Sequence, residues 1–256
     1  MQFVDTHTHI YLPEFDDDRE EVIKKAVGNG ICMLLMPNID IESVGPMLAV
    51  ADLYPGVCYP MIGLHPTSVG DDYLDQLKAI ERISGQRRFI AVGEIGIDLY
   101  HDKSRLKEQM SAFRRQVAFA ISSGLPVAVH ARDSFPEVFS VLEEFSGTGL
   151  KGVFHAFSGN AGDARRAVKM GFMLGIGGIV TFKNSGLDSV LLETGPDNII
   201  LETDSPYLAP SPYRGKRNES SYICIINRRL AGLFGRSEEE MASLAMGNTR
   251  RLFNLL

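Results

Sequence analysis

The sequence predicts an α/β fold: one domain over residues 1–256, closed as a TIM-type (β/α)8 barrel. Three observations predict it. Eight short apolar runs recur at a fairly even pace, helical patterns fill the gaps between them, and no phosphate-loop motif of an open doubly wound sheet follows the first run. A barrel of this kind routinely uses about 250 residues as a single domain.

The runs cover residues 3–6, 31–36, 57–62, 89–94, 126–130, 152–155, 172–176 and 199–202. Most lack polar alternation, as expected for parallel strands buried on both faces. After the first run, Phe15, Val22, Ile23 and Ala26 share one helical face. The second helix is expected to start near Ser43, because Pro46 sits awkwardly early in a helix begun at Ile41. Leu74, Leu77 and Ile80 recur at three-residue steps, and Met110, Phe113, Val117 and Ala120 form another face. Residues 134–145 and 160–170 suit helices, and the piece after the seventh run, 186–192, is short. A helix over 220–234 follows the eighth run. The last begins at Ser237, with Glu240 three residues on as a capping box. A Rossmann-type sheet is the alternative, but neither GxGxxG nor GxxxxGK[ST] occurs where it would be needed.

Hydrophobic residues make up 45% of the chain and charged ones 23%, which excludes a disordered chain. No apolar run approaches the roughly 18–20 residues of a membrane span. The net charge of −6 argues against broad binding of polyanions while leaving room for a local basic site. Cys32, Cys58 and Cys224 show no close spacing, and the N-terminus has no secretion pattern, so a reducing, cytoplasmic setting is expected. No obligate protein partner is evident.

Chemistry concentrates in few residues. The histidines are His7, His9, His65, His101, His130 and His155. His7 and His9 close the first expected strand, His130 the fifth and His155 the sixth; in a barrel, those ends form the functional face. The i, i+2 spacing of His7 and His9 aims both imidazoles the same way on a strand, a natural start to a metal site. A pair of polar residues at a strand end is the plainer reading, and His130 and His155 in phase weigh against it. Glu94 ends the fourth run in one row with Ile90 and Val92, where a carboxylate needs a proton, a cation or a metal; an ion pair with an arginine is the alternative. Asp204, taken alone, suits the turn at Ser205-Pro206 better than a site.

Taken together, six nitrogen and oxygen ligands are too many for one open catalytic metal. They suit two divalent ions: His7, His9 and Asp204 on one, His130 and His155 on the other, and Glu94 bridging both. Mg, Mn or Zn fit such ligands. Two metals clamp the attacking and leaving oxygens of an in-line displacement, so the chemistry expected is hydrolysis. Glu94 and Asp204 are the candidate catalytic residues, Asp204 taking the proton of the attacking water. Lys183 follows a glycine-rich segment after the seventh run, in the usual phosphate region of such barrels. Arg214, Lys216 and Arg217 follow the eighth, and Arg132 lies two residues past His130. These cations are either phosphate contacts or solvated loops. Two divalent ions would raise the formal charge from −6 to −2, concentrated at the mouth.

As a set, DTHTHI, GLHP (63–66), GEIGID (93–98), PVAVHARD (126–133), FHAFSG (154–159), TFKN (181–184), ETDSPYLAP (202–210) and RGKRNE (214–219) resemble the TatD family of metal-dependent deoxyribonucleases over nearly the whole chain. The resemblance implies a TIM-type barrel, a divalent-metal site and hydrolysis of DNA, single-stranded or at ends, often 3′→5′. It carries the family's ligands onto His7, His9, Glu94, His130, His155 and Asp204. It also implies that His65 contacts substrate, and that Asp98 and Arg132 shape the mouth. Two departures stand out: Thr8 replaces the cysteine usual in the first motif, and Ser220-Ser221 stand where a proline usually follows RGKRNE. A small-molecule hydrolase of the same superfamily, acting on lactones, amides or phosphoesters, is the alternative function. Several such relatives bridge their metals with a modified lysine where this chain has Glu94. A non-catalytic barrel is the third reading, and the complete ligand set argues against it. For base stacking, Tyr207 and Tyr213 are the mouth-side candidates.

Overall fold

Each apolar run becomes a parallel strand, and each strand is followed by a helix. The structure, a computed structural model, describes residues 1–255. The strands are β1 (Phe3–Asp5), β2 (Ile31–Pro37), β3 (Cys58–Met61), β4 (Val92–Asp98), β5 (Val127–Arg132), β6 (Gly152–Phe154), β7 (Phe172–Ile176) and β8 (Ile199–Leu201). The helices are α1 (Arg19–Gly28), α2 (Ile41–Leu53), α3 (Tyr73–Ser84), α4 (Leu106–Ser123), α5 (Phe135–Glu143), α6 (Ala161–Lys169), α7 (Leu187–Thr194), α8 (Ile223–Phe234) and α9 (Glu238–Phe253).

Pairing runs in chain order within β1–β3 and within β4–β8. Backbone hydrogen bonds close the two seams. Ile62 N donates to Ala91 O (3.2 Å) and Gly93 N to Ile62 O (2.9 Å), joining β3 to β4. Thr6 N donates to Leu201 O (3.1 Å) and His9 N to Ser205 O (2.8 Å), joining β8 to β1. The result is the closed eight-stranded parallel barrel, in which no strand edge is left open.

Two apolar layers explain why the runs read as continuous. Val4, Leu35, Met61, Ala91, Ala128, Val153, Met173 and Ile200, one from each strand or its approach, form a single cluster, which is the barrel interior. Leu252 and Phe253 at the end of α9 join it. Their chain neighbours, such as Leu34, Phe154, Phe172 and Ile199, pack outward under the helices. Leu74 does not share the buried face of Leu77 and Ile80 and is exposed. Among the described residues, no helix is long and apolar enough to cross a membrane.

Three expectations are corrected. Helix α2 starts at Ile41, because Asp40 caps it: Ser43 N donates to Asp40 Oδ1 (2.9 Å) and Asp40 N donates to Ser43 Oγ (2.9 Å). That reciprocal cap offsets the hydrogen bond lost at Pro46, which lies inside the helix. Strand β1 stops at Asp5, before both histidines. Strand β4 begins later and runs further than residues 89–94, and its register against β5 shifts between Val92 and Ile95. Ala91 therefore lies in the inner cluster and Val92 in the outer one, and Glu94 does not continue a row through Val92.

Gly96 allows β4 to approach β5 closely. Its φ is +149°, and a Cβ there would collide with the carbonyl oxygen of His130. Gly96→Ala should cost more than about 4 kcal/mol, the range of strained backbone sites and core overpacking combined. Chemical denaturation checks this; a loss under about 0.5 kcal/mol, the usual range for surface changes, would show that the strands separate freely.

Candidate metal centre

The segment after β1 is held by a buried polar network shared with the segment after β8. Asp5 accepts from Thr203 N (2.9 Å) and from Thr203 Oγ1 (2.6 Å), Thr8 Oγ1 lies 2.7 Å from Ser205 Oγ, and Asp204 N donates to His7 O (2.9 Å). Burial pushes the Asp5 carboxyl up to about 7, against the lowering effect of its hydrogen bonds to Ser220, Thr203 and His7. Asn218 donates to Thr203 O (2.7 Å) and Tyr207 O (2.6 Å), fixing the turn in which Asp204 takes a φ of 59°. These bonds aim His7 and His9, which lie beyond the strand. Their Nε2 atoms stand 3.3 Å apart, so convergence comes from the pinned loop and not from strand alternation.

Glu94 stands between two histidine sets. Its Oε2 is 3.1 Å from His7 Nε2 and 4.0 Å from His9 Nε2. Its Oε1 is 2.7 Å from His130 Nδ1, 3.4 Å from His65 Nε2 and 3.7 Å from His155 Nε2. Asp204 Oδ1 lies 3.5 Å from His9 Nε2, 3.7 Å from His155 Nε2 and 3.8 Å from His7 Nε2. Three groups of ligand atoms come within reach of one ion: His7, His155 and Asp204; His7, His9 and Glu94; and His65, Glu94 and His130.

The far nitrogens decide which atoms face inward. His9 Nδ1 lies 3.1 Å from Tyr11 Oη, and that hydroxyl donates to Pro37 O (2.7 Å). The Tyr11 oxygen therefore accepts the Nδ1 proton and leaves His9 Nε2 a free lone pair. His155 Nδ1 is 3.0 Å from Glu202 Oε1, and His130 Nε2 is 2.9 Å from Asp98 Oδ2. Carboxylates behind imidazoles fix tautomers in this way at metal sites. His65 differs: its Nδ1 accepts from Thr67 N (3.2 Å), so the proton of neutral His65 sits on Nε2, facing the centre as a donor. His7 Nδ1 is buried without a partner, and the approach of His155 Nδ1 to Glu202 is that of an ion pair and not of an aligned hydrogen bond. The donor set, imidazole nitrogen and carboxylate oxygen gathered on both sides of Glu94, fits divalent cations.

Electrostatics agree with a centre built for positive charge. Burial pushes His7 and His65 toward the neutral form. Burial also opposes the charged form of His155, but Glu202, Glu94 and Asp204 overcome it and push the group up to about 10. His130 is raised against burial by Asp98 and Glu94. Burial opposes the charge on Glu94 and Asp204, yet the surrounding histidines hold both carboxyls below the usual range. In the cation-free protein the raised His155 carries positive charge among these carboxylates, and a metal taking that imidazole would have to displace its proton.

A cleft of about 900 Å³ opens over the centre, lined among others by His65, Arg132, Tyr207, Arg214 and Lys216. The Arg132 guanidinium lies 3.9 Å from the Tyr100 ring centre and that of Arg214 4.6 Å from Phe182. Two expected substrate contacts lie elsewhere. Arg217 grips the Asp18 carboxylate with two bonds (2.8 and 2.5 Å) and donates to Glu14 O, tying the loop after β8 to the start of α1. Lys183 is exposed and outside the cleft lining. Their positions in the chain, near the mouth loops, could not show which way the side chains turn. Sequence reasoning assigned nothing to Glu202, Tyr11, Asp5 or Asn218. Glu202 had a usable signal, since it shares strand parity with Ile200 and Asp204. Gly175 leaves room for it, because a Cβ there would meet the Glu202 carboxylate.

Comparison with known proteins agrees on a lineage. A family model described as TatD related DNase matches residues 4–254. The uncharacterized metal-dependent hydrolase YabD of Bacillus subtilis is 35% identical over 98% of each chain. The 3′-5′ ssDNA/RNA exonuclease TatD of Pectobacterium parmentieri is 29% identical over 98% of this chain and 99% of that one. Among solved structures, YJJV, a TatD homolog from Escherichia coli, superposes with a TM-score of 0.93 at 28% identity, over 99% of this chain and 98% of that one.

Two predictions follow from the far-nitrogen partners. Glu202→Gln should weaken metal binding about 10- to 100-fold, read by calorimetric titration of chelator-stripped protein; unchanged affinity would make Glu202 a packing residue only. The ion pairs of His155 stabilise the stripped protein fully below its ordinary value of 6.5 and lose that contribution as pH rises through about 10. The Tm of stripped protein should fall over that window, and His155→Asn should remove that part of the fall.

Proposed function

The chain belongs to the TatD related DNase family of metal-dependent hydrolases, and on that premise we propose that it hydrolyses phosphodiester bonds at 3′ ends of single-stranded DNA. The reading takes two divalent cations, one held by His7, His9 and Asp204, the other by His130 and His155, with Glu94 between them. The observation that carries it is the division of Glu94: one oxygen faces His7 and His9, the other His130. A carboxylate so divided suits two cations better than one. When bound, the cations supply Lewis-acid stabilisation of the charge that develops on the phosphoryl and leaving oxygens.

The chain's own groups do the rest. Asp204 is ionised, and its side chain is 13% accessible where that of Glu94 is 4%. It is therefore the carboxylate an attacking water can reach, and it takes the proton at Oδ. His65 offers its Nε2 proton to a phosphoryl oxygen. Arg132, Arg214 and Lys216 hold the phosphates that flank the scissile bond, and none of the three forms an ion pair with a carboxylate among the described residues. Three free thiols accord with a cytoplasmic setting.

The test is turnover of end-labelled single-stranded and duplex DNA by stripped and metal-restored protein, with a lactone and a phosphotriester as controls. Single-stranded DNA should be shortened from its 3′ end only after metal is restored; equal activity in excess chelator, or activity on the controls alone, contradicts the reading. Asp204→Asn should lower kcat by about 10²- to 10⁴-fold, the usual worth of general-base help. Arg214→Ala should raise KM, whereas Lys183→Ala and Arg217→Lys should leave it near that of the unaltered protein.

A further inference from the structure

We propose that Tyr207, flanked by Leu208, is the platform on which the base of the terminal nucleotide stacks, so that the cleft accepts an end whose last base is unpaired. The proposal rests on the phosphodiesterase reading above and adds the feature that selects the substrate.

The mouth carries three tyrosines, and their partners sort them. Tyr213 is already stacked on Tyr222, with ring centres 4.4 Å apart and planes within 5°, and it does not line the cleft. Tyr100 is covered on one face by the Arg132 guanidinium. Tyr207 lines the cleft, is 46% exposed, and has one ring partner, the edge-on ring of His9, with centres 6.1 Å apart at 64°. It is thus an open aromatic face beside the candidate metal centre. Leu208 extends it at 39% exposure. Among the described residues, exposed large apolar side chains are otherwise scattered, and only these two are adjacent in the chain and share one cleft. Leaving such area in water is unfavourable, and a flat ligand that covers it recovers the difference.

The platform is also rigid. Tyr207 N donates to Asp204 O (2.8 Å), and its carbonyl accepts from Asn218 (2.6 Å). Leu208 takes a φ of 53°, a left-handed conformation that a branched side chain holds only where the surroundings impose it. The same turn carries Asp204, so one set of hydrogen bonds holds both the platform and the candidate base. Arg214 and Lys216 line the same cleft. One nucleotide can therefore place its phosphate at the centre and its base against Tyr207. Every base has such a face, so stacking tolerates any sequence. A base within a duplex is covered by its neighbours and must first be freed.

Metal-loaded protein and its Tyr207→Ala and Tyr207→Phe variants are compared on two single-stranded oligonucleotides that differ only in an abasic 3′-terminal nucleotide. Tyr207→Ala should raise KM on the intact oligonucleotide by at least about 5-fold, the lower end of base–aromatic stacking, and leave KM on the abasic one unchanged. Tyr207→Phe should behave as the unaltered protein. Unchanged KM on both substrates, or an equal rise on both, overturns the platform. If the unaltered protein cleaves neither oligonucleotide, the phosphodiesterase reading itself has failed, and the platform falls with it.

Discussion

The structure depends on one constraint: a carboxylate enclosed by imidazoles at the mouth of a closed barrel. Glu94 is almost fully buried, and a buried charge is costly unless it is paired. Without a cation, the balance falls to protons on the histidines, above all on His155. With cations, the same nitrogens would serve as ligands in the proposed reading. On that reading the centre would have two charge states, and the fold would have to hold its ligands in place in both.

Barrel closure supplies that rigidity. The seam between β8 and β1 is made by the residues that aim His7, His9 and Asp204, through Thr6, Thr203 and Asp5. The tight approach of β4 to β5 at Gly96 brings Glu94 against His130. Behind the imidazoles stand Tyr11, Asp98 and Glu202, each fixing one ring. The bonds that close the ring between β8 and β1 also hold the centre, so damage at that seam should reach the chemistry.

Much of this was legible in the sequence, for physical reasons. Strands buried on both faces read as apolar runs, and parallel strands place their ends together, so histidines far apart in the chain could be read as neighbours. The sequence was least informative where the backbone departs from regular geometry. His7 and His9 converge although the strand has ended, and Glu94 faces the mouth across a register shift that a period-two argument cannot foresee. Arg217 sat in a promising loop, but its carboxylate partner lies at the start of α1, nearly two hundred residues away in the chain. Glu202 and Asn218 act through groups that only the folded chain brings to them.

The central claim is that Glu94 lies between two cations. Anomalous diffraction from crystals of the manganese-restored protein tests it most directly. The account predicts two peaks roughly 3.5–4 Å apart, one on each side of the Glu94 carboxylate. A single peak, or a pair of which neither is bonded to Glu94, would contradict it.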